Sequence, residues 1–175
     1  LFGNNLNQIS NREQPNDELY TPMSLSKQFI DNMDIAEEEN CLDPFYGTGS
    51  FFNNFNDNNE NNFCEINLGK DFFNYKINHD WIISNPPFSQ LSKILEHTCN
   101  LAVKGFGYVL PAYSLTAVRI KNINLKGFYI DKIIHFSNPK EWRIGFQMIF
   151  VIFTKNKNSS FINLESNDFI QKRLI

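Results

Sequence analysis

The sequence predicts an α/β fold, and three observations carry that prediction. Short apolar runs of strand type alternate with stretches whose apolar residues recur at helical spacing. A strand-like run ending at Asp43 opens into the glycine turn Gly47-Thr48-Gly49. A second apolar run, Trp81-Ile82-Ile83-Ser84, stops abruptly at Asn85-Pro86-Pro87-Phe88. Pro86 lacks a backbone donor and pushes Asn85 out of the helical region, so a strand must end there. In open α/β sheets, ligands bind at such carboxyl ends.

Residues 1–19 are polar and without periodicity, as in a flexible arm. Thr21 can cap a helix with Pro22 in its first turn, and Leu25, Phe29, Ile30 and Met33 follow at helical spacing. A short strand then ends at Asp43, where Pro44 terminates it. Gly47 and Gly49 permit a tight turn and close backbone approach to a ligand. Phe51, Phe52 and Phe55 are expected to begin a helix. Strand, glycine turn and helix form a nucleotide-site layout. It is neither the G-x-G-x-x-G fingerprint nor a P-loop, because no Gly-Lys-Ser/Thr follows. Residues 62–66 read as the next strand, with Glu65 at its tip. Only five residues separate that acid from Asp71-Phe72-Phe73, too few for a helical crossover of about 10–12 residues.

After Phe88, a helix places Leu91, Ile94, Leu95, Thr98, Leu101 and Ala102 on one face. Residues 105–110 form a strand ended by Pro111. Ser114 is placed to cap a helix running to about Leu125. Strands at 128–136 and 146–153 are expected to pair as an antiparallel hairpin around a polar loop, 138–145, that holds Pro139, Lys140, Trp142 and Arg143. Residues 154–175 read as a tail.

The chain has 175 residues, which fits a single domain, 1–175, with one core. No apolar run approaches the ~20 residues of a membrane span. Cys41, Cys64 and Cys99 lack metal-ligand spacing and read as reduced, mostly buried thiols, and the three histidines are scattered, so no metal site is expected. The net charge of −3 is unevenly spread. Residues 1–100 hold five basic and fifteen acidic side chains, a net −10, whereas residues 101–175 hold eleven basic and four acidic ones, a net +7. That asymmetry points to a polyanionic partner for the second half.

Asn85-Pro86-Pro87-Phe88 resembles the catalytic motif of S-adenosylmethionine-dependent amino-methyltransferases, especially those acting on adenine in DNA. Asp43-Pro44-Phe45-Tyr46-Gly47-Thr48-Gly49-Ser50 resembles their cofactor motif, and Tyr20-Thr21-Pro22 their N-terminal motif. The resemblance covers roughly residues 20–153. It implies a class I methyltransferase fold: a Rossmann-like α/β, mostly parallel seven-stranded sheet in order 3-2-1-4-5-7-6, with strand 7 antiparallel. By resemblance, Asn85, Pro86, Pro87 and Phe88 form the catalytic set. Tyr20, Thr21, Pro22, Asp43, Phe45, Gly47, Gly49, Glu65, Asp71 and Phe72 surround the cofactor S-adenosylmethionine. Glu65 takes the ribose, and Asp71 takes the cofactor's adenine amino group unless it is only a turn cap.

The implied reaction methylates the exocyclic nitrogen of a flipped adenine in DNA, in a bacterial or phage-infected cytoplasm. Lys140, Trp142 and Arg143 are expected to contact the nucleic acid, Trp142 either packing near the extruded base or anchoring the hairpin to the core. Alternatives of the same fold act on RNA adenine or a protein glutamine amide, or serve as a non-catalytic partner subunit. No separate target-recognition region is evident, which points to loops, residues missing at the termini, or a specificity subunit or other partner chain as the source of sequence specificity.

Overall fold

The computed structural model describes residues 19–58 and 60–155. The expected N-terminal arm, apart from Leu19, and the expected tail beyond Lys155 lie outside the described residues. In chain order the elements are α1 (Met23–Asp31), β1 (Cys41–Asp43), β2 (Asn62–Phe63), β3 (His79–Ser84), α2 (Leu91–Leu101), β4 (Ala102–Pro111), α3 (Ala117–Leu125), β5 (Tyr129–His135) and β6 (Met148–Thr154). The strands form one mixed sheet of order β2-β1-β3-β4-β6-β5. The first four are mutually parallel, and β6 runs antiparallel to both β4 and β5.

This is the expected order with its third strand missing, so the sheet has six strands rather than seven. The reason is chain length. Between β2 and β3 the backbone makes two short 3-10 turns, Ile66–Leu68 and Phe72–Asn74, with no crossover helix. Glu65 and Lys70 pair across this segment as an isolated antiparallel bridge.

Five local expectations also change. The helix expected from Phe51 is only a 3-10 turn, Phe52–Asn54. Asparagine side chains here bind backbone instead of tolerating a helix: Asn54 Nδ2 donates to the carbonyls of Met23 and Ser50, and Asn56 Nδ2 to those of Ala36, Glu37 and Glu39. The strand expected at 62–66 ends at Phe63, because the Glu65 carboxylate caps the following turn by accepting from Asn67 N at 3.1 Å. Thr21 does not cap α1; Pro22 occupies that position without a side-chain cap bond. Thr116, not Ser114, caps α3, and Ala102 begins β4 rather than ending α2.

The pleat divides the apolar residues between two cores. On one face Ile82, Phe106, Tyr108, Val151 and Phe153 meet α2 and α3 through Leu91, Ile94, Leu95, Ile120 and Ile123. On the other, Trp81, Ile83, Val109, Met148, Phe150 and Ile152 meet Phe29 and Met33 of α1, together with Trp142. β6 is buried on both faces, which explains its uninterrupted apolar run. Gly105 makes the close approach of neighbouring strands possible. A Cβ there would lie 2.5 Å from both the Phe153 carbonyl and the Trp81 ring.

The three central parallel strands all end beside prolines, Pro44, Pro86 and Pro111, so their carboxyl ends open on one edge. There, Asp43 at the tip of β1 is fully buried. Its Oδ1 accepts from the Ser84 hydroxyl at 2.6 Å and from Phe45 N at 3.2 Å, and its Oδ2 accepts from Phe52 N at 3.3 Å. Burial pushes the carboxyl up to about 7, although these donors pull the other way.

Two outcomes are expected. Gly105→Ala should destabilise the fold by about 1–3 kcal/mol through overpacking, read by chemical denaturation. Asp43 in the unfolded chain titrates near about 3.9, below its folded value, so the stability linked to it is lost as pH rises from about 4 through about 7. Asp43→Asn removes that titration. Its stability relative to wild type should therefore improve with rising pH across this window, by at most about 1.4 kcal/mol per pH unit. A pH-independent gap between the two proteins would show that Asp43 does not titrate there.

Candidate active site

A cavity of about 540 Å³ opens at the carboxyl edge of the sheet. Its wall includes Tyr20, Thr21, Phe45, Gly47, Glu65, Asp71, Phe72, Asn85 and Pro87, so nine of the sequence-identified residues from five separate segments meet around one space. The glycine turn forms one side. Gly47 and Gly49 both take left-handed backbone conformations, with φ of +52° and +79°. A Cβ on Gly49 would lie 2.7 Å from the Tyr46 ring, so only glycine fits. Ser26 Oγ donates to the Ser50 carbonyl at 2.7 Å, tying α1 to this turn.

Glu65 binds the turn directly. Its Oε2 accepts from Gly47 N at 3.1 Å, while Oε1 caps the Ile66–Leu68 turn. Each carboxylate oxygen keeps further acceptor capacity beside the cavity. Asp71 caps the next turn by accepting from Phe73 N at 3.0 Å, and Asn74 Nδ2 donates to its second oxygen. Capping and cavity lining thus coexist at Asp71. Phe72 is buried, packed edge-on against Phe45 with ring centroids 5.3 Å apart.

Asn85 follows directly on β3. Its Nδ2 donates to the Leu19 carbonyl at 2.6 Å and to Thr21 Oγ1 at 3.2 Å. Its Oδ1 is buried and has no hydrogen-bond partner among the described residues. An unpaired buried acceptor costs about 1–3 kcal/mol, so this oxygen on a cavity-lining residue is left with a hydrogen bond to make.

Other predicted residues stand back from the cavity. Asp43 does not line it; its oxygens hold Ser84 and the turn amides instead. Gly49, Pro22, Pro86 and Phe88 are also outside the wall, and Phe88 is half-buried against the α1-side core. Trp142 is 3% exposed and belongs to the same core, in the anchoring arrangement. Lys140 and Arg143 beside it are exposed. The β5–β6 loop does lie at the Asn85 edge, since Met148 at the start of β6 pairs with Pro111 at the end of β4.

Sequence reasoning missed Ser84, whose hydroxyl ties β3 to Asp43. Its one signal was a polar residue closing an apolar run. It also missed Leu19, Ile66, Lys70, Gln90 and Ile94 in the cavity wall, which carry no motif, and Tyr46, which lies inside the cofactor motif but was given no role. Burial pushes all three cysteine thiols up to about 12, which leaves them without nucleophilic thiolate character at neutral pH. Among the described residues no group of His, Cys, Asp or Glu is placed to hold a metal, and no helix is long and apolar enough to cross a membrane.

No family model and no curated protein matches the sequence. Solved structures do match the fold. The M protein of the type I restriction enzyme EcoKI superposes with a TM-score of 0.63 at 13% identity, covering 86% of this chain and 46% of that one. The chain thus spans under half of that protein's length. Precorrin-6y C5,15-methyltransferase from Geobacter metallireducens gives 0.55 at 11% identity, over 78% of this chain and 88% of the other. Magnesium protoporphyrin IX methyltransferase from Synechocystis, solved with S-adenosylmethionine bound, gives 0.52 at 14% identity, over 76% and 77%. The chain has the α/β fold of the class I S-adenosylmethionine-dependent methyltransferases, built here on six strands.

Proposed function

We propose that the chain transfers a methyl group from S-adenosylmethionine to the exocyclic nitrogen of adenine in DNA. The observation that carries this reading is the unpaired, buried Oδ1 of Asn85 on the wall of a cavity flanked by a glycine turn and two carboxylates. The cavity is large enough for a nucleoside-sized ligand. Glu65, two residues beyond the second strand at the cap of the next turn, suits the two ribose hydroxyls. Asp71 suits an amino group, and Tyr20 and Thr21 stand on the side of the cavity next to Asn85. Asp43 supports the site by fixing the turn rather than by touching the ligand. S-adenosylmethionine, when bound, supplies an electrophilic methyl group on sulfonium.

The chain's own residues prepare the nitrogen. An exocyclic amine on adenine is a poor nucleophile because its lone pair is delocalised into the ring. Asn85 Oδ1 accepts one of its N–H bonds and the Pro86 carbonyl the other, which favours a more tetrahedral nitrogen with a localised lone pair. Charge develops on that nitrogen as the new bond forms, where a preorganised dipole is most effective. The methylated nitrogen then loses its proton to solvent without a strong base. Phe88 stacks on the flipped base. Lys140 and Arg143 take phosphates, the acidic first half of the chain being unsuited to that task. One neighbour in fold is part of a restriction enzyme. In keeping with that, we assign reading of the recognition sequence to a partner chain or specificity subunit.

The direct test is methyl transfer from labelled S-adenosylmethionine to DNA, RNA and protein pools. Label on adenine in DNA is expected. Label on RNA adenine or protein glutamine would move the substrate, and absent cofactor binding by calorimetry would refute the enzyme. Asn85→Ala should lower the transfer rate about 10²–10³-fold with cofactor affinity retained, whereas Glu65→Ala should weaken cofactor binding itself. Replacing Lys140 and Arg143 together by Ala should flatten the salt dependence of duplex binding, each lost phosphate contact removing about 0.9 from the log–log slope. An unchanged slope by fluorescence anisotropy would place the nucleic acid elsewhere.

A further inference from the structure

We infer that Trp142 is a positioning residue for Asn85, acting through the backbone strap of residues 19–21. The Asn85 amide has two ends of opposite character. Its Nδ2 donates to the Leu19 carbonyl at 2.6 Å and to Thr21 Oγ1 at 3.2 Å. A carbonyl oxygen can only accept, so Leu19 fixes which end of the amide faces the strap. Oδ1 is thereby turned away, buried and unpaired. Asn85 presents a free acceptor only while the strap holds its amino group.

The strap is gripped from its other side. The Tyr20 carbonyl, between the two groups that hold Asn85, accepts from Trp142 Nε1 at 2.8 Å. The Tyr20 side chain is 54% exposed, so its burial does not hold the strap in place. Pro22, the next residue but one, has no N–H to contribute. The indole, by contrast, is rigidly placed. Trp142 is 3% exposed, its ring meets Phe136 edge-on at 6.1 Å, and its backbone N donates to the Pro139 carbonyl at 3.0 Å. A buried indole N–H must find an acceptor, and this one finds it on the strap. The result is a relay of hydrogen bonds from the β5–β6 loop to Asn85 that crosses three segments distant in sequence. Lys140 and Arg143 flank Trp142 on that loop. A ligand that shifts the loop therefore shifts the strap, and with it the orientation of the amide.

The kinetic consequence rests on the methyl-transfer reading; the structural one does not. The test is Trp142→Phe, which keeps an apolar aromatic ring and deletes the N–H donor. Incorporation of 3-benzothienylalanine at position 142, which replaces the N–H by sulfur in a ring of nearly the same shape, covers the case in which Phe packs poorly. The probe is the Asn85 side-chain amide in nitrogen–proton spectra, assigned by its loss in Asn85→Ala. Both variants should raise its solvent exchange by about twofold to tenfold, the worth of one hydrogen bond. Backbone signals of β4 and β6 should stay in place. Thr21→Val, which removes an acceptor at the strap, should disturb the same amide. Transfer should slow in kcat with KM for the nucleic acid unchanged, which a general loss of packing would not produce. Unchanged Asn85 exchange in either folded Trp142 variant would overturn the positioning role, even if activity fell. Altered exchange would sustain it even if no pool accepted a methyl group.

Discussion

The buried Asp43 carboxyl joins the tips of two neighbouring parallel strands, and the site is arranged around that junction. Through Ser84 it fixes the level at which β3 ends, and therefore where Asn85 emerges. Through the amides of Phe45 and Phe52 it fixes both ends of the glycine turn. The cavity lies between these two features. A carboxyl held near about 7 by burial is costly to ionise, and three donors on two oxygens are what keep it in place. Serine is well suited as the partner, since its hydroxyl can donate to the carboxyl and also approach the Phe45 carbonyl at 3.3 Å.

The sheet reaches this arrangement with little material. Where a helical crossover would carry the chain to another strand, two 3-10 turns capped by Glu65 and Asp71 return it directly to β3. Each cap serves twice, because the carboxylate that closes its turn also borders the cavity. Asparagine plays a comparable part after the glycine turn. Asn54 and Asn56 hold carbonyls of the segments around them, which packs the turn against α1 and the 36–39 segment without a helix.

The two halves of the chain divide the labour. The acidic half supplies the glycine turn, both capping carboxylates and Asn85. The basic half supplies β4, β6 and the loop that carries Lys140, Trp142 and Arg143. They meet at the strap, where the indole of one half and the amide of the other bind adjacent residues. Contact between the β5–β6 loop and Asn85 thus runs through backbone rather than through a shared side-chain network.

The sequence by itself determined the α/β class, the strand ends and the neighbourhood of the site. Prolines and glycines act locally: Pro44, Pro86 and Pro111 stop strands whatever surrounds them, and Gly47 and Gly49 permit a turn closed to other residues. An uninterrupted apolar run, as in β6, likewise reports burial on two faces. Tertiary structure alone decided matters that depend on residues far apart in the chain. It set the six-strand count: the short span after Glu65 excluded a crossover helix, but only the fold showed that the chain returns directly to β3. It turned Thr21 from an apparent cap into an acceptor for Asn85, removed Asp43 from the cavity wall, and buried Trp142 against the strap. Each of those outcomes is a choice among hydrogen-bond partners. A side chain's type states what it can donate or accept, but only the folded chain decides which partner lies within three ångströms.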